Sequence, residues 1–105
     1  MKLILFTGSS GFIGTNLKPL LQEKYLVKTM GLSDSDDYHV NIATIVPILN
    51  DKFDIVLHAA GKAHSIPKTK EEEKVFYDVN YQGTLNLCKA LEKTNLPKAF
   101  VFIST

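Results

Sequence analysis

Leu3-Ile4-Leu5-Phe6-Thr7 is an unbroken apolar run stopped by Gly8. A run without alternation predicts a strand buried on both faces. From Phe12 to Lys24 the period changes, and Ile13, Leu17, Leu20 and Leu21 share one face of a predicted helix. Pro19 inside it removes a backbone donor and predicts a local kink. Leu26 to Met30 is a second, weaker strand, and Gly31 to Asp37 is a polar, turn-rich loop. Tyr38 to Val40 is a short third strand, and Ala43 to Asn50 a short helix containing Pro47. Asp54 to His58 is β-branched and apolar, hence a fourth strand. Lys68 to Lys93 is one long helix, with Phe76, Asn80, Gly83, Leu87 and Leu91 on one face. Ala99 to Ile103 is the last strand.

Strands alternating with helices predict an α/β fold, a doubly wound parallel sheet with helices on both faces. Right-handed crossovers leave few topologies, and 3-2-1-4-5 is the expected strand order. Such a sheet binds ligands where the order reverses, here outside the carboxyl ends of the first and fourth strands. The sequence has no internal repeat and no low-complexity linker.

Length and composition narrow the function. At 105 residues the chain is one small domain, below the size of most complete enzymes of this kind. Hydrophobic residues at 45% and charged residues at 22% exclude disorder for the bulk of the chain. A net charge of +1 gives no basic excess, so nucleic acid is not an expected partner. All twelve basic residues are lysine. No apolar run approaches a membrane span, and Thr7-Gly8-Ser9 interrupts the first run too soon for a signal peptide. The single Cys88 has no internal disulfide partner, which suits a reducing cytoplasm. No metal site is expected.

The chemistry concentrates in Thr7-Gly8-Ser9-Ser10-Gly11-Phe12-Ile13-Gly14, between the first strand and the first helix. Gly8 suits a tight turn, Gly11 a close approach to a diphosphate, and Gly14 tight packing of the helix. The free amides of this stretch, with Ser10, Phe12 and Ile13 between the glycines, would hold the anion at the helix start. Glycines that merely punctuate a turn are the plainer alternative, but this spacing between a buried strand and an amphipathic helix favours the dinucleotide reading. The spacing is G-x-x-G-x-x-G, not the G-x-G-x-x-G of ordinary dehydrogenases.

At these residues the chain resembles the amino-terminal part of an extended short-chain dehydrogenase/reductase, the NAD-dependent epimerase/dehydratase family that modifies nucleotide sugars. Three further segments carry the resemblance: His58-Ala59-Ala60-Gly61, the helix segment Asn80-Tyr81-Gln82-Gly83-Thr84-Leu85-Asn86-Leu87, and Phe100-Val101-Phe102-Ile103-Ser104-Thr105. The resemblance implies a Rossmann-type domain over residues 1–105, incomplete, with the later strands and the substrate domain absent. It implies that Ala59, Ala60 and Gly61 run beside the cofactor ribose and nicotinamide, that Asn41 and Ile42 contact adenine, and that Asn80 braces neighbouring strands. It implies that Ser104 binds the cofactor and that Thr105, the catalytic candidate, bonds the sugar hydroxyl that is oxidised. Asn41 stands where the family has Asp, though its side-chain oxygen still accepts a hydrogen bond.

Other positions read more plainly. His58, at the end of a buried strand, is expected to be a hydrogen-bonded core histidine. Lys62 is expected in solvent, while His64 is evenly open between site and surface. Glu71, Glu72 and Glu73 complement a helix start. The acid that binds the adenosine 2′-hydroxyl is not clearly placed: Gly31 or Leu32 falls nearest, and Asp34 is the candidate slightly beyond. Asp36 and Asp37 are expected to be a solvated loop. Without arginine, and with Lys28 the only nearby cation, NAD is favoured over NADP.

The resemblance implies a Tyr-x-x-x-Lys after the Ser/Thr pair, and none occurs here. The expectation is therefore a portion of a longer enzyme, a homodimer at full length. This portion would bind NAD and not turn over, and its exposed sheet edge would favour self-association. The alternatives are a non-catalytic NAD(P)-binding redox-sensing module of the same fold, or an interaction domain without ligand.

Overall fold

The computed structural model describes residues 1–59 and 68–103. Five parallel strands form one sheet in the order β3-β2-β1-β4-β5, as the alternation of elements predicts. They are β1 (Leu3–Thr7), β2 (Leu26–Gly31), β3 (Tyr38–His39), β4 (Ile55–His58) and β5 (Ala99–Phe102). Side chains alternate across the sheet, so β1 feeds two cores. Leu5 joins Met30, Phe53 and Val56 under Leu87 and Leu91 of helix α3 (Gly83–Thr94). Ile4, Phe6 and Leu57 face Leu17 and Leu21 of helix α1 (Phe12–Gln22). Residue Thr7 of β1 lies in register with both Met30 and His58, which puts three strand ends at one edge.

Several elements differ from the reading of the sequence. Helix α1 runs on through Pro19 but ends at Gln22, and Leu20 is exposed rather than on the buried face. Ala43 to Asn50 is not a helix: residues 42–44 make a turn and 45–50 run without regular structure. Pro47 explains this, because it disfavours helical angles at Val46 and has no amide to donate. Tyr38 Oη accepts the Asn50 amide at 3.1 Å, pinning the segment to the sheet instead. The long helix is interrupted. Helix α2 (Lys70–Tyr77) passes into a π-helical turn, Asp78–Gln82, before α3 begins at Gly83. One extra residue per turn rotates the faces of α2 and α3 relative to each other, so α3 alone buries a full stripe. Among the described residues no helix is long and apolar enough to cross a membrane.

Candidate functional site

The glycine turn is built from its backbone. Gly8 adopts φ 72°, a conformation that disfavours any side chain. Its amide donates to the Met30 carbonyl at 3.4 Å, and its carbonyl accepts the Gly11 amide at 3.1 Å. Gly11 is the N-cap of α1 and brings no capping side chain. The amides of Phe12, Ile13 and Gly14 therefore have no acceptor within the helix, and none elsewhere among the described residues. Phe12 and Ser10 are exposed and Ile13 half-buried.

The other two glycines have different reasons. A Cβ at Gly14 would lie 2.3–2.5 Å from the backbone of Ser9, so glycine there lets α1 seat against the turn itself rather than against the strand. A Cβ at Gly11 would meet only the Gly8 carbonyl at 3.4 Å, an ordinary contact. Among the described residues, no packing contact requires glycine at 11. Its bare backbone suits a ligand that must come close, which is the test a diphosphate sets.

Beside this turn lies a cavity of about 100 Å³ walled by residues 30–32 and residues 40–43. Pockets for a whole drug-sized ligand start at roughly 300 Å³, so this one suits a single ring of a larger molecule. Asn41 and Ile42 both line it. Asn41 Oδ1 accepts the Ala43 amide at 3.1 Å, so the side chain shapes the turn as well as edging the cavity. Ile42 is buried, and its carbonyl accepts Asn86 Nδ2 at 2.6 Å. The Val40 amide donates to the Gly31 carbonyl at 3.1 Å, closing the two walls together.

His58 ends β4 in a polar chain. Thr84 Oγ1 donates to the Asn80 carbonyl at 2.9 Å and so must accept from His58 Nε2, also at 2.9 Å. Nδ1 is then the acceptor for the Thr7 hydroxyl at 2.5 Å. The ring is neutral, with its proton on Nε2. Burial lowers its pKa to about 4. His58 is thus the hydrogen-bonded core histidine expected, and it joins β1, β4 and the start of α3. Ala59 follows, half-buried, its amide donating to the Thr7 carbonyl at 3.1 Å.

Two expectations about charge change. Asp36 and Asp37 lie in an exposed loop, Asp37 exposed and Asp36 half-buried, but their carboxylates are engaged: Asp36 Oδ2 accepts the Ser33 amide at 3.0 Å, and Asp37 Oδ2 accepts the Thr29 amide at 2.8 Å. Lys28 is not free for a phosphate, because both oxygens of Asp51 hold its Nζ at 2.9–3.0 Å. Hydrogen bonds from Tyr38 and then Lys28 lower the Asp51 pKa, and the bond to Asp51 raises that of Lys28. Asp34 has a side chain 98% exposed, with Oδ1 3.2 Å from His39 Nδ1. Asn80 is half-buried. Ala60, Gly61, Lys62, His64, Ser104 and Thr105 lie outside the described residues.

Sequence reasoning gave no role to Asn86, Thr84 or Thr7. Asn86 had a visible signal: with Gly83, Leu87, Ala90 and Leu91 it falls on the one buried stripe of α3. A buried amide there must find partners. The partners of His58 had none, since they meet only once the sheet register is set.

A glycine-rich turn from β1 into α1, at the switch point of a 3-2-1-4-5 parallel sheet, defines a Rossmann-type dinucleotide-binding fold. The pattern of the NAD dependent epimerase/dehydratase family matches residues 4–105, and the chain belongs to that family. It is 35% identical to the UDP-glucose 4-epimerase of Vibrio cholerae over 117 residues, covering 99% of this chain and 35% of that protein. Among solved structures, a human epimerase family protein with NADPH superimposes with a TM-score of 0.77 at 24% identity, over 95% of this chain and 35% of the other. A UDP-glucose-4-epimerase from Stenotrophomonas maltophila, with bound NAD and formylated UDP-arabinopyranose, gives 0.73 at 19% identity, over 97% and 36%. The chain spans about a third of the length of the curated relatives it matches.

Proposed function

We propose that this chain is the NAD-binding portion of an enzyme that alters a nucleotide sugar at one carbon by hydride transfer. The observation that carries the reading is the turn into α1. The first amides of the helix have no acceptor among the described residues, and Gly11 stands bare where no packing among those residues needs it bare. NAD, when bound, supplies the hydride exchange. The chain's part is to hold the diphosphate on the amides of residues 10–14, to seat adenine between residues 30–32 and 41–43, and to keep the edge of the sheet rigid through neutral His58.

The family supports the class of chemistry. The names of the Vibrio and Stenotrophomonas relatives support a nucleotide-sugar substrate. For the cofactor, the Stenotrophomonas structure holds NAD and the human one NADPH. Absence of arginine and the commitment of Lys28 to Asp51 favour NAD, since a 2′-phosphate finds no uncommitted lysine beside the cavity among the described residues. Ala60, Gly61 and Ser104 are assigned to the cofactor and Thr105 to the reacting sugar hydroxyl, on the resemblance of their segments.

Calorimetric titration tests the reading. Wild type should bind NAD, and Gly11→Ala should fold normally yet bind it about tenfold more weakly or worse. Equal affinity in the two proteins would remove the diphosphate from the turn.

A further inference from the structure

All five strands are parallel, so their amino ends share one edge of the sheet and the glycine turn lies at the other. The amino edge carries a row of lysines. Lys2 precedes β1, Lys24 lies two residues before β2, Lys52 three before β4, and Lys98 immediately before β5. Backbone hydrogen bonds hold the row in line. The Leu26 amide donates to the Lys2 carbonyl at 3.0 Å, the Asp54 amide to the Leu3 carbonyl at 2.9 Å, and the Lys98 amide to the Asp54 carbonyl at 2.8 Å. The Lys24 amide donates to the Leu21 carbonyl at 3.1 Å, closing the end of α1 onto the same edge. All four lysines are exposed.

The two edges differ in charge. No lysine occurs between residues 29 and 50, and the loop beyond β2 at the far edge carries Asp34, Asp36 and Asp37. Three acids lie in the segments that lead into the strands. Asp51 holds Lys28, and Asp54 Oδ2 accepts the Leu3 amide at 2.8 Å, which leaves Glu23 as the exposed one. Apolar side chains open to solvent stand in the same row: Leu26 is 55% exposed and Leu96, two residues before Lys98, is 72% exposed. Single exposed leucines are common. These two, however, mark the β2 and β5 ends of the lysine row, roughly 14 Å apart at the ordinary strand spacing.

We propose that the amino edge of the sheet is a peripheral docking face for an anionic lipid bilayer. Lipid headgroups supply the negative charge that the lysines meet, and the acyl boundary receives the leucines. A long lysine stem keeps its ammonium among the headgroups while the leucines go deeper. A peptide groove would gather the apolar side chains at one point, whereas here they lie at opposite ends of a row. Such contact needs no helix that crosses the membrane. The strands stand on the bilayer with the glycine turn and its cavity facing water. The inference is independent of what that turn binds.

Co-sedimentation with lipid vesicles tests it. The protein should partition onto vesicles of phosphatidylcholine containing about a third phosphatidylglycerol, and far less onto phosphatidylcholine alone. It should be released as salt rises from roughly 0.05 M to 0.5 M. Lys24→Gln combined with Lys98→Gln should weaken partitioning about twentyfold, at roughly fivefold per lysine. Leu96→Ser keeps every charge and should weaken it about tenfold by removing one anchor. These side chains are exposed, so the variants should keep the wild-type Tm. Lys70→Gln with Lys89→Gln removes the same charge from α2 and α3, and should change partitioning by less than about threefold. Failure of wild type to bind anionic vesicles, equal loss from the two lysine pairs, or no loss from Leu96→Ser overturns the proposal. Binding to heparin in place of vesicles also overturns it, because the lysines would then serve an anionic polymer.

Discussion

Asn86 donates its side-chain amide to the Ile42 carbonyl at 2.6 Å across 44 residues of sequence. Only 5% of Asn86 is exposed, and its Oδ1 accepts Gln82 Nε2 at 3.0 Å. Helix α3 thereby holds the wall of the cavity at the end of β2. Asn86→Ala leaves a buried carbonyl unpaired, which costs about 1–3 kcal/mol. Thermal unfolding should show a fall in Tm of several degrees, and NAD affinity should fall with it because the 41–43 wall loosens. An unchanged Tm would show that Ile42 is held by other contacts.

The two glycines of the turn separate structure from ligand. Gly14→Ala drives a methyl into the Ser9 backbone, and overpacking of that kind costs about 1–3 kcal/mol. That outweighs the ~1 kcal/mol alanine gains over glycine inside a helix. Gly11→Ala meets no such clash and should cost under about 1 kcal/mol as a change of N-cap. Urea denaturation of the two variants should therefore rank Gly14→Ala well below Gly11→Ala.

Neutral His58 makes stability depend on pH. Its pKa in the fold is about 4, against an ordinary value of 6.5. Between those values the unfolded chain binds the extra proton, so stability from this group is complete above pH 6.5 and is lost as pH falls towards 4. The shift corresponds to roughly 3 kcal/mol. Denaturation from pH 8 to pH 4 should show that slope in wild type and lack it in His58→Gln, whatever the carboxylates contribute to both. Parallel curves would place the proton elsewhere.

Much of this was legible in the sequence, and for physical reasons. Strands buried on both faces leave unbroken apolar runs, so Leu3–Thr7 and Ile55–His58 were visible, and the glycines at 8, 11 and 14 marked the turn between strand and helix. Ala43 to Asn50 misled because Ile45, Ile48 and Leu49 are spaced as in a helix, while the single Pro47 decides the backbone. The π-helical turn left no mark in the apolar period, since Gly83, Leu87 and Leu91 keep their stripe on either reading. The place of Asp36 depends on how a loop folds back onto Gly31, a contact that no local pattern records.

The ion pair that Lys28 of β2 makes gives a negative control. Lys28 sits mid-strand opposite Leu5 and is held by both oxygens of Asp51. Lys28→Gln should leave NADP affinity within about twofold of wild type, because Nζ is turned to Asp51 and the residue does not line the cavity. A large loss of NADP binding would mean that the lysine leaves Asp51 for the ligand.

The most direct test of the diphosphate cradle is an amide-resolved NMR titration of the protein with NAD. The account predicts saturable shifts of the amides of residues 10–14, joined by those of 30–32 and 41–43. Binding that moves other amides and leaves residues 10–14 in place would contradict it.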